Sequence, residues 1–530
     1  MVPDDFSYYL EHDACVKIVD LAQDSWRHTL YEELSPKFLE SPDAERGQTP
    51  FLELLKLLKD QLRARSAVVE PYVGTDWNEE YGHLYSRAFK TIDPTAQRIH
   101  FFSEISTGSL KPCDLFNASK EVSAAYLGYI VLRPIPAYRV SETLIKSPWV
   151  MDPEDSSGDD RMDLVHCQAK SIVSLLGNEL SIRCMPFMQQ DTSVGVCAEA
   201  DLWMVARHAN LLGDAGRYRP ATITSLATKT ITVGPPREGL IDLQILDALR
   251  HMGLNAVQLT PKSPQEAREF IYTCVESNLP VIAGIPNHVV VVIGHDYFET
   301  ASGHGDCKHM SDLVRNFVVH DDAKGAYLKR ELDEVSESTD SNNDLKFLTL
   351  GQGEKNAVDF CIAVMPDRLN LSREDLAWHT EVWLENACSF VEADMGIPRG
   401  DLWDLQGSED LVMRTYLRKS RDFKRDVLRG NPARCALVSA KYKCTQMPKY
   451  IWVVELARRG DLDDGRPHER KICGELIFDS TANRHVINES LIAFNYDGIL
   501  YVPGMKGRPP EVIVSDQKLY EPLLRRDPLS

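Results

Sequence analysis

Two polar, acidic stretches limit most strongly how this chain can fold. The segments MDPEDSSGDDRMD at 151–163 and ELDEVSESTDSNND at 331–344 carry few apolar side chains, so they cannot bury the apolar area that a folded core requires. We interpret them as linkers or long surface loops. A chain of 530 residues is also longer than the ~250 to 300 residues that one core can organise. The sequence therefore predicts three folded units, at 1–165, 166–345 and 346–530.

The two outer units each mix helical and strand-like patterns. In the first unit, residues 51–62 have the apolar spacing of a helix and residues 97–105 are typical of a strand. In the last unit, residues 449–457 and 474–481 are typical of strands, whereas 408–429 is typical of a helix with a solvated basic face. Each outer unit is predicted to be α+β, without an assigned function.

The composition excludes several classes of partner. A net charge of −20 and a pI near 5.3 argue against binding nucleic acid, because neutralising phosphates needs clustered Lys and Arg. The N-terminus is acidic where a signal peptide needs positive charge, and the apolar runs are shorter than the ~18 to 20 residues of a membrane span. The 12 cysteines contain no CxxC pair, which favours free thiols in a reducing compartment. We expect a cytoplasmic protein that binds neither nucleic acid nor membrane.

Cys197 is predicted to lie at the N-terminus of a buried helix. The polar stretch 191–195 precedes it, and the run 197–212 is apolar on most sides before Gly213, a residue type that commonly ends helices. The positive end of the helix dipole and a nearby imidazolium lower the pKa of a thiol. Cys197 is therefore a candidate nucleophile.

His288 and Asp321 are candidate partners for that thiol. His288 opens an apolar strand after a turn at 285–287, and period-two alternation places it on one face with Val290 and Val292. Asp321 follows another apolar strand and precedes a turn. A carboxylate on the neighbouring strand could hydrogen-bond the imidazole and fix its tautomer and orientation.

Three blocks of sequence, at 189–204, 280–297 and 317–327, resemble papain-like cysteine peptidases. They are most similar to the peptidase domains that remove leader peptides in bacteriocin-exporting transporters, and the resemblance covers only about residues 186–330. In that family a Gln precedes the Cys, a His opens a Val-rich strand and an Asp opens a turn. The resemblance implies a central papain-like fold, in which a helix bearing Cys packs on an antiparallel sheet bearing His and Asp, flanked by the two α+β regions.

The resemblance also implies catalytic roles. Cys197 matches the nucleophile, His288 the base and Asp321 the orienting carboxylate, and Asp322 stands where that family has Pro. Either neighbouring carboxylate could face the imidazole, and the alignment favours Asp321.

The amide that would stabilise the oxyanion is assigned to Gln190. It lies seven residues before Cys197 and Gln189 lies eight before it, both slightly farther than in that family. Which of the two amides points into the site stays open.

Two further histidines lie close to these candidates in the sequence. His295 is an odd number of residues from His288, so an unbroken strand would point it to the opposite face. His320 precedes Asp321 and should likewise alternate away from the site. Both are predicted to be structural.

The predicted activity is that of a cysteine-dependent peptidase, cleaving a peptide or isopeptide bond through an acyl-enzyme on Cys197. An acyl or amine transferase with the same triad and a catalytically inactive papain-like binding module are the alternatives. The predicted partner is a protein or peptide substrate, and the oligomeric state is not constrained. No cofactor is expected because there is no P-loop or dinucleotide motif. No metal is expected because HGDCKH at 304–309 lacks a second pair of ligands.

Overall fold

The computed structural model describes residues 16–23, 25–34, 44–87, 89, 91–106, 108–116, 119–135, 139–148, 164–190, 198–229, 240–297, 307–337, 345–350, 357–397, 410–428, 435–463, 471–504 and 509–519. These residues form three antiparallel sheets, a separate hairpin and helices packed on the sheet faces. The chain is therefore α+β, which confirms the predicted class at that level. Within the described ranges, no helix combines the length and the apolar character that crossing a membrane requires.

The N-terminal region is built on a five-stranded sheet whose strands follow sequence order. The strands are β1 (Lys17–Asp20), β2 (Ser66–Tyr72), β3 (Ala96–Phe102), β4 (Tyr126–Leu132) and β5 (Val140–Ile145). The helices are α1 (Trp26–Glu33), α2 (Ala44–Lys56) with a π-helical turn at Leu57–Gln61, α3 (Thr75–His83) with a 3-10 turn at Tyr85–Arg87, α4 (Pro112–Phe116) and α5 (Lys120–Ala125). Both faces of the sheet are buried, since Val68 and Val69 pack into two different cores. The core around Val69 continues into the centre of the molecule.

The central sheet has eight strands. They are β6 (Leu164–His166), β9 (Asn255–Leu259), β10 (Val281–Ile285), β11 (His288–Tyr297), β12 (Val314–Asp321), β13 (Gly325–Glu337), β14 (Leu345–Leu350) and β15 (Phe360–Met365). Their order is β14-β13-β12-β11-β10-β15-β9, and β6 also pairs with β11. Strands β7 (Ala169–Leu175) and β8 (Asn178–Cys184) form a separate hairpin. The helices are α6 (Glu199–Leu211), α7 (Pro220–Ala227), α8 (Asp242–His251) and α9 (Pro264–Glu276), with a 3-10 turn at Met310–Leu313.

The C-terminal region contains a six-stranded sheet in sequence order. Its strands are β16 (Leu411–Lys419), β17 (Tyr450–Arg458), β18 (Gly474–Asp479), β19 (Leu491–Tyr496), β20 (Ile499–Val502) and β21 (Glu511–Val514). The helices are α10 (Arg373–Met395), α11 (Ser420–Leu428), α12 (Ala436–Cys444), α13 (Arg459–Asp463) and α14 (Ile487–Ser490). The longest, α10, begins with the Ser372 side chain accepting from the Asp375 N–H and ends at Gly396 in the left-handed conformation.

The prediction of one helix over 408–429 is wrong for the described part of that run. Residues 411–419 pair with the whole of β17, and only the residues after them form helix α11. The basic run is also not simply a solvated face, because Arg414 is buried and its charge is compensated by two glutamates. Long-range pairing with β17 outweighs the local helical pattern.

Strand β11 lies between two cores. Val289, Val291 and Ile293 share a core with helix α6, whereas Val290 and Val292 share one with helix α9. This is the alternation that the sequence predicts for an apolar strand buried on both faces.

The central sheet extends past the second acidic stretch. Strand β15 follows that stretch in sequence, yet it lies between β10 and β9. The proposed boundary between residues 345 and 346 therefore runs across this sheet. The division into three units stays a prediction. The last strand of the central sheet ends at Met365.

Candidate active site

Cys197 lies in the stretch 191–197, outside the described residues. Ala198, the next described residue, is buried, and helix α6 begins at Glu199. The helix ends at Leu211, and Gly213 adopts a left-handed conformation with φ of +74°, as expected for a C-terminal cap. The predicted end of this helix is confirmed.

Helix α6 is held by side chains of the N-terminal region. Trp203 Nε1 donates a hydrogen bond to Asp76 Oδ2 at 3.1 Å, and Arg207 Nε donates to Glu142 Oε1 at 3.1 Å. Arg217 bridges the two carboxylates, at 3.2 Å from Asp76 and 3.3 Å from Glu142. Burial, followed by the charge of Glu142, raises the pKa of Asp76. The helix that follows Cys197 is therefore fixed through buried, charge-assisted contacts.

The His288 backbone is positioned by a tight hairpin. Ile285 pairs with His288 across a two-residue turn, as predicted, and Asn287 in that turn has φ of +61°. Asn tolerates this left-handed conformation better than most residues with a side chain. His288 is thus the first residue of β11, at the end of the sheet, and its side chain is 23% exposed.

His288 and Asp321 are hydrogen-bonded. The distance from His288 Nε2 to Asp321 Oδ1 is 3.1 Å. Burial lowers the pKa of the imidazole, but the hydrogen bond with Asp321 and the charges of Asp322 and Asp321 outweigh it, so the pKa of His288 is raised. Burial raises the pKa of Asp321, but the hydrogen bond and charge of His288 outweigh it and the net pKa is lowered. Both shifts favour an imidazolium–carboxylate pair.

Asp321 is itself fixed by the turn that follows it. Its Oδ1 accepts from the backbone N–H groups of Ala323 and Lys324, each at 3.1 Å. Lys324 Nζ and Arg330 Nη2 lie 3.4 and 3.5 Å from Oδ2. The carboxylate that faces the imidazole therefore cannot turn away without breaking backbone hydrogen bonds.

Asp322 contributes a second carboxyl group. It is fully buried, with Oδ1 3.7 Å from His288 Nε2, and burial is the main reason that its pKa is raised to about 7. The shorter distance and the lower pKa both favour Asp321 over Asp322 as the hydrogen-bonding partner of the ring.

The same three side chains could hold a metal ion. One ligand atom from each of His288, Asp321 and Asp322 lies within 4.8 Å of the others, a set of nitrogen and oxygen donors that suits a divalent cation. Of the loop considered as a zinc half-site, His304 lies outside the described residues. Cys307 is buried and donates to the carbonyl oxygen of His309 at 3.2 Å.

His295 faces helix α9, on the side of Val290 and Val292, and not the opposite face that an unbroken strand predicts. A register shift between Val292 and Gly294 marks a β-bulge, so β11 is not an unbroken strand and an odd separation from His288 no longer means opposite faces. His295 Nε2 lies 3.1 Å from Glu276 Oε1 on α9. Sequence alone gives no direct signal for this bulge beyond the glycine at 294.

His320 lies away from Asp321, as alternation predicts. Its Nδ1 is 3.2 Å from the carbonyl oxygen of Pro186, and its ring packs edge-on against Phe187 and Tyr327. Burial lowers the pKa of His320 to about 3. A histidine that stays neutral and enclosed in this way serves packing.

The two candidate glutamines differ in their contacts. Gln189 is buried, its Oε1 accepts from the Val140 N–H at 3.0 Å, and its own N–H donates to the Val140 carbonyl oxygen at 3.0 Å. Gln190 is only partly buried and is the last described residue before 191–197. The Gln189 amide oxygen is therefore held by the N-terminal sheet, and the assignment of the oxyanion-stabilising amide to Gln190 stays a prediction.

No disulfide joins the cysteines of the described residues. Burial raises the pKa of Cys167, Cys184, Cys274 and Cys361, which makes these thiols unreactive. Cys435 differs, because the backbone hydrogen bond with Val438 lowers its pKa at a partly exposed position. Any experiment on Cys197 therefore needs Cys435 as a control.

Comparisons with known proteins give a weak structural likeness. No family model matches the chain, and no curated protein matches it. Among solved structures, the chain is similar to the peptidase domain of Streptococcus ComA, a bifunctional ABC transporter involved in a quorum sensing pathway. The identity is 15% and the TM-score 0.20, over 34% of this chain and 98% of that one.

A second solved structure with some similarity is UfSP from C. elegans. The identity is 12% and the TM-score 0.23, over 40% of this chain and 35% of that one. Both TM-scores are so low that neither likeness identifies a function.

Proposed function

We propose that this chain is a cysteine-dependent peptidase in which Cys197 is the nucleophile, His288 the base and Asp321 the carboxylate that orients the base. The observation that supports this most directly is the 3.1 Å hydrogen bond between His288 Nε2 and Asp321 Oδ1, at a partly exposed end of the sheet. Hydrogen bonding between a base and its orienting group is what nucleophilic catalysis requires.

The hydrogen bond also suggests the role of each ring nitrogen in this proposal. Because Nε2 faces Asp321, Nδ1 is the ring nitrogen that exchanges a proton with the thiol. The thiolate of Cys197 attacks the carbonyl carbon of the substrate, the C–N bond breaks, and the imidazolium donates its proton to the leaving amine. Water then hydrolyses the thioester, with the imidazole accepting the proton of the water. The raised pKa of His288 favours the protonated ring beside a thiolate.

For this mechanism, the segment before helix α6 must bring the Cys197 sulfur to the His288 ring. Ala198 and helix α6 share a core with Val289 and Val291, whereas alternation assigns His288 to the face of Val290. The sulfur of Cys197 must therefore reach the imidazole around the end of strand β11. His288 is the first residue of that strand, so its side chain lies next to the strand end.

The oxyanion would be stabilised by the Cys197 N–H and the Gln190 side-chain amide. Gln189 is held to Val140 through its Oε1 and its backbone N–H, whereas Gln190 is the nearer of the two to Cys197 in the sequence. Removing one such donor typically slows an acyl transfer by about 10²- to 10³-fold, so Gln190→Ala should lower turnover by that order while Gln189→Ala acts mainly on stability.

The test is site-resolved labelling with a peptide-like thiol-reactive probe at neutral pH. We expect one equivalent of probe on Cys197, loss of this label in Cys197→Ala, and retention in the matched control Cys435→Ala. Labelling of Cys435 alone, or of neither residue, contradicts the proposal and favours a catalytically inactive binding module. Labelling of Cys197 with product released only when an amine acceptor is added favours a transferase.

A further inference from the structure

We propose that the cleft between the central and C-terminal regions binds a small organic anion bearing phosphate or carboxylate groups. The cleft has a volume of about 820 Å³, within the range of ~300 to 1,000 Å³ typical of small-molecule sites. One wall is formed by the C-terminal end of helix α6 and the turn at 277–280 before β10, and the other by the end of β16 and the start of β17. It is separate from the His288 cluster, and the inference does not depend on the proposed peptidase activity.

The lining of the cleft is basic in an acidic protein. The chain carries a net charge of −20, yet the lining contains six cationic side chains against three carboxylates, which leaves a net charge of +3. The cationic residues are Lys170, Arg368, Arg418, Lys419, Arg421 and Lys449. A concave surface with an excess of one sign of charge concentrates ligands of the opposite sign.

Two of these cations are available to a ligand. In the described part of the chain, neither Lys170 nor Arg368 has an ion-pair partner. Arg368 also has φ of +66°, a left-handed conformation that is unfavourable for a residue with a side chain. Local backbone strain of this kind concentrates at ligand-binding sites.

Two further cations converge on one carboxylate. Lys419 Nζ lies 2.8 Å and Lys449 Nζ 3.8 Å from Asp214, and the Tyr450 hydroxyl donates to the same carboxylate at 3.2 Å. This arrangement is already a carboxylate-binding site occupied by a side chain of the protein. A ligand anion would add to it or compete with Asp214, which lies three residues after helix α6.

The rest of the lining suits the organic part of such a ligand. Val205, Leu212, Leu279 and Met365 supply apolar surface, and Ser277 and Thr481 supply polar groups. A mixture of apolar walls and a few polar groups is typical of small-molecule sites. Inorganic phosphate alone would leave this apolar surface unused.

Helix α6 connects this cleft with the segment that contains Cys197. A helix of 13 residues is roughly 20 Å long, and Cys197 lies two residues before its first residue while the cleft lies at its last turn. Because the helix is buried in one continuous hydrophobic core, an anion that displaces Asp214 would act on the same element that follows Cys197.

The experiment is calorimetric titration of the full chain with pyrophosphate, citrate and adenosine diphosphate in low-salt buffer, with adenosine as the uncharged match. We expect at least one of the three anions to bind, with an affinity that falls as the salt concentration is raised. If adenosine diphosphate binds, its affinity should be at least tenfold higher than that of adenosine. Binding by pyrophosphate or the diphosphate alone indicates a phosphate ligand, and binding by citrate alone indicates a carboxylate ligand.

Variants locate the binding. The pair Arg368→Gln and Lys449→Met should weaken anion binding at least tenfold, because both side chains lie at the cleft and are exposed, so their loss should not unfold the chain. Lys443→Met, an exposed lysine outside the cleft, should change affinity less than twofold. Absence of binding by all three anions, equal binding of adenosine and the diphosphate, or binding unchanged in the cleft variants overturns the inference.

Discussion

The two ends of strand β11 carry histidine–carboxylate pairs with the same separation and different surroundings. His288 Nε2 lies 3.1 Å from Asp321, and His295 Nε2 lies 3.1 Å from Glu276. The His288 side chain is 23% exposed, whereas His295 and Glu276 have no exposed surface. The distance between ring and carboxylate therefore does not distinguish a candidate base from a structural histidine.

The surroundings of Glu276 explain the difference. Its second oxygen accepts from Arg414 at 2.7 Å, and Tyr297 donates to the first at 2.8 Å. Arg414 also donates to Glu455 at 3.0 Å, so the network ties helix α9 to the C-terminal sheet. Charges this deeply buried are tolerated only when they are paired. The His295 end of β11 joins two regions, while the His288 end meets solvent.

The largest effect should follow from removing the imidazole at the exposed end. His288→Ala should slow labelling of Cys197 by roughly 10³-fold, as expected for loss of a general base, and the rate is taken for the folded protein because the change also removes the ion pair with Asp321. Labelling rates resolved by mass spectrometry measure it. His295→Gln is the matched control, and it should keep the rate of the folded protein within about threefold. Equal rate losses in both variants would remove the distinction between the two ends.

Breaking the buried network should chiefly reduce stability. Arg414→Met leaves Glu276 and Glu455 buried without their cation, so we expect a loss of about 3 to 5 kcal/mol in the free energy of unfolding, measured by denaturant titration. Lys56→Met is the control for an exposed pair, since Lys56 lies 2.6 Å from Glu53 on the surface of α2, and its effect should be below about 1 kcal/mol. A similar small loss for Arg414→Met would mean that the network does not join the two regions.

The two carboxyl groups beside His288 should differ in their effect on the rate. Asp321→Asn keeps an oxygen for the turn but removes the charge that orients and protonates the ring, so the labelling rate of Cys197 should fall about tenfold. Asp322→Asn should lower it less than about threefold, because Asp322 is farther from the ring. The reverse order would make Asp322 the orienting carboxylate.

The smallest expected effect is the pH dependence of the free energy of unfolding that arises from Asp322. Burial raises the pKa of Asp322 to about 7, so the folded chain holds this proton more tightly than the unfolded chain, and its stability falls as pH rises from the ordinary carboxyl pKa to about 7. Asp322→Asn should remove this loss and gain at least about 1 kcal/mol above pH 7, with the gain shrinking as pH falls. Thermal unfolding across that range measures it.

The opposite trend is expected for Asp321. Its pKa is lowered, mainly because the His288 interactions outweigh burial, so its contribution to stability is present above the ordinary carboxyl pKa and is lost as pH falls through the lowered value. In Asp321→Asn the acid-induced loss of stability should therefore be smaller than in the original chain. An unchanged acid profile would mean that the ion pair with His288 does not stabilise the fold.

Much of the candidate site could be anticipated because it depends on local chemistry. The turn before His288, the apolar alternation of 289–292 and the glycine after helix α6 each leave a pattern within a few residues of sequence, and the structure has all three. Asp321 was identifiable from the turn that follows it.

Long-range pairing left no comparable signal. The bulge in β11 changes the face of His295 through the register with β12, and strand β15 enters the central sheet between partners that are distant in sequence. The run at 408–429 has helical spacing but pairs with β17 as a strand over most of its first half. In each case the deciding contact involves residues that a local window does not contain.

The hydrogen bonds from helix α6 to Asp76 and Glu142 affect which fragments of the chain can fold. A fragment starting at residue 166 would lack both carboxylates, leaving the Trp203 indole N–H and the Arg207 Nε–H without their acceptors. It would also lose the sheet that covers Trp203. Excision of the central region by itself should yield an insoluble or partly folded product, and biochemical work on Cys197 should retain the N-terminal region.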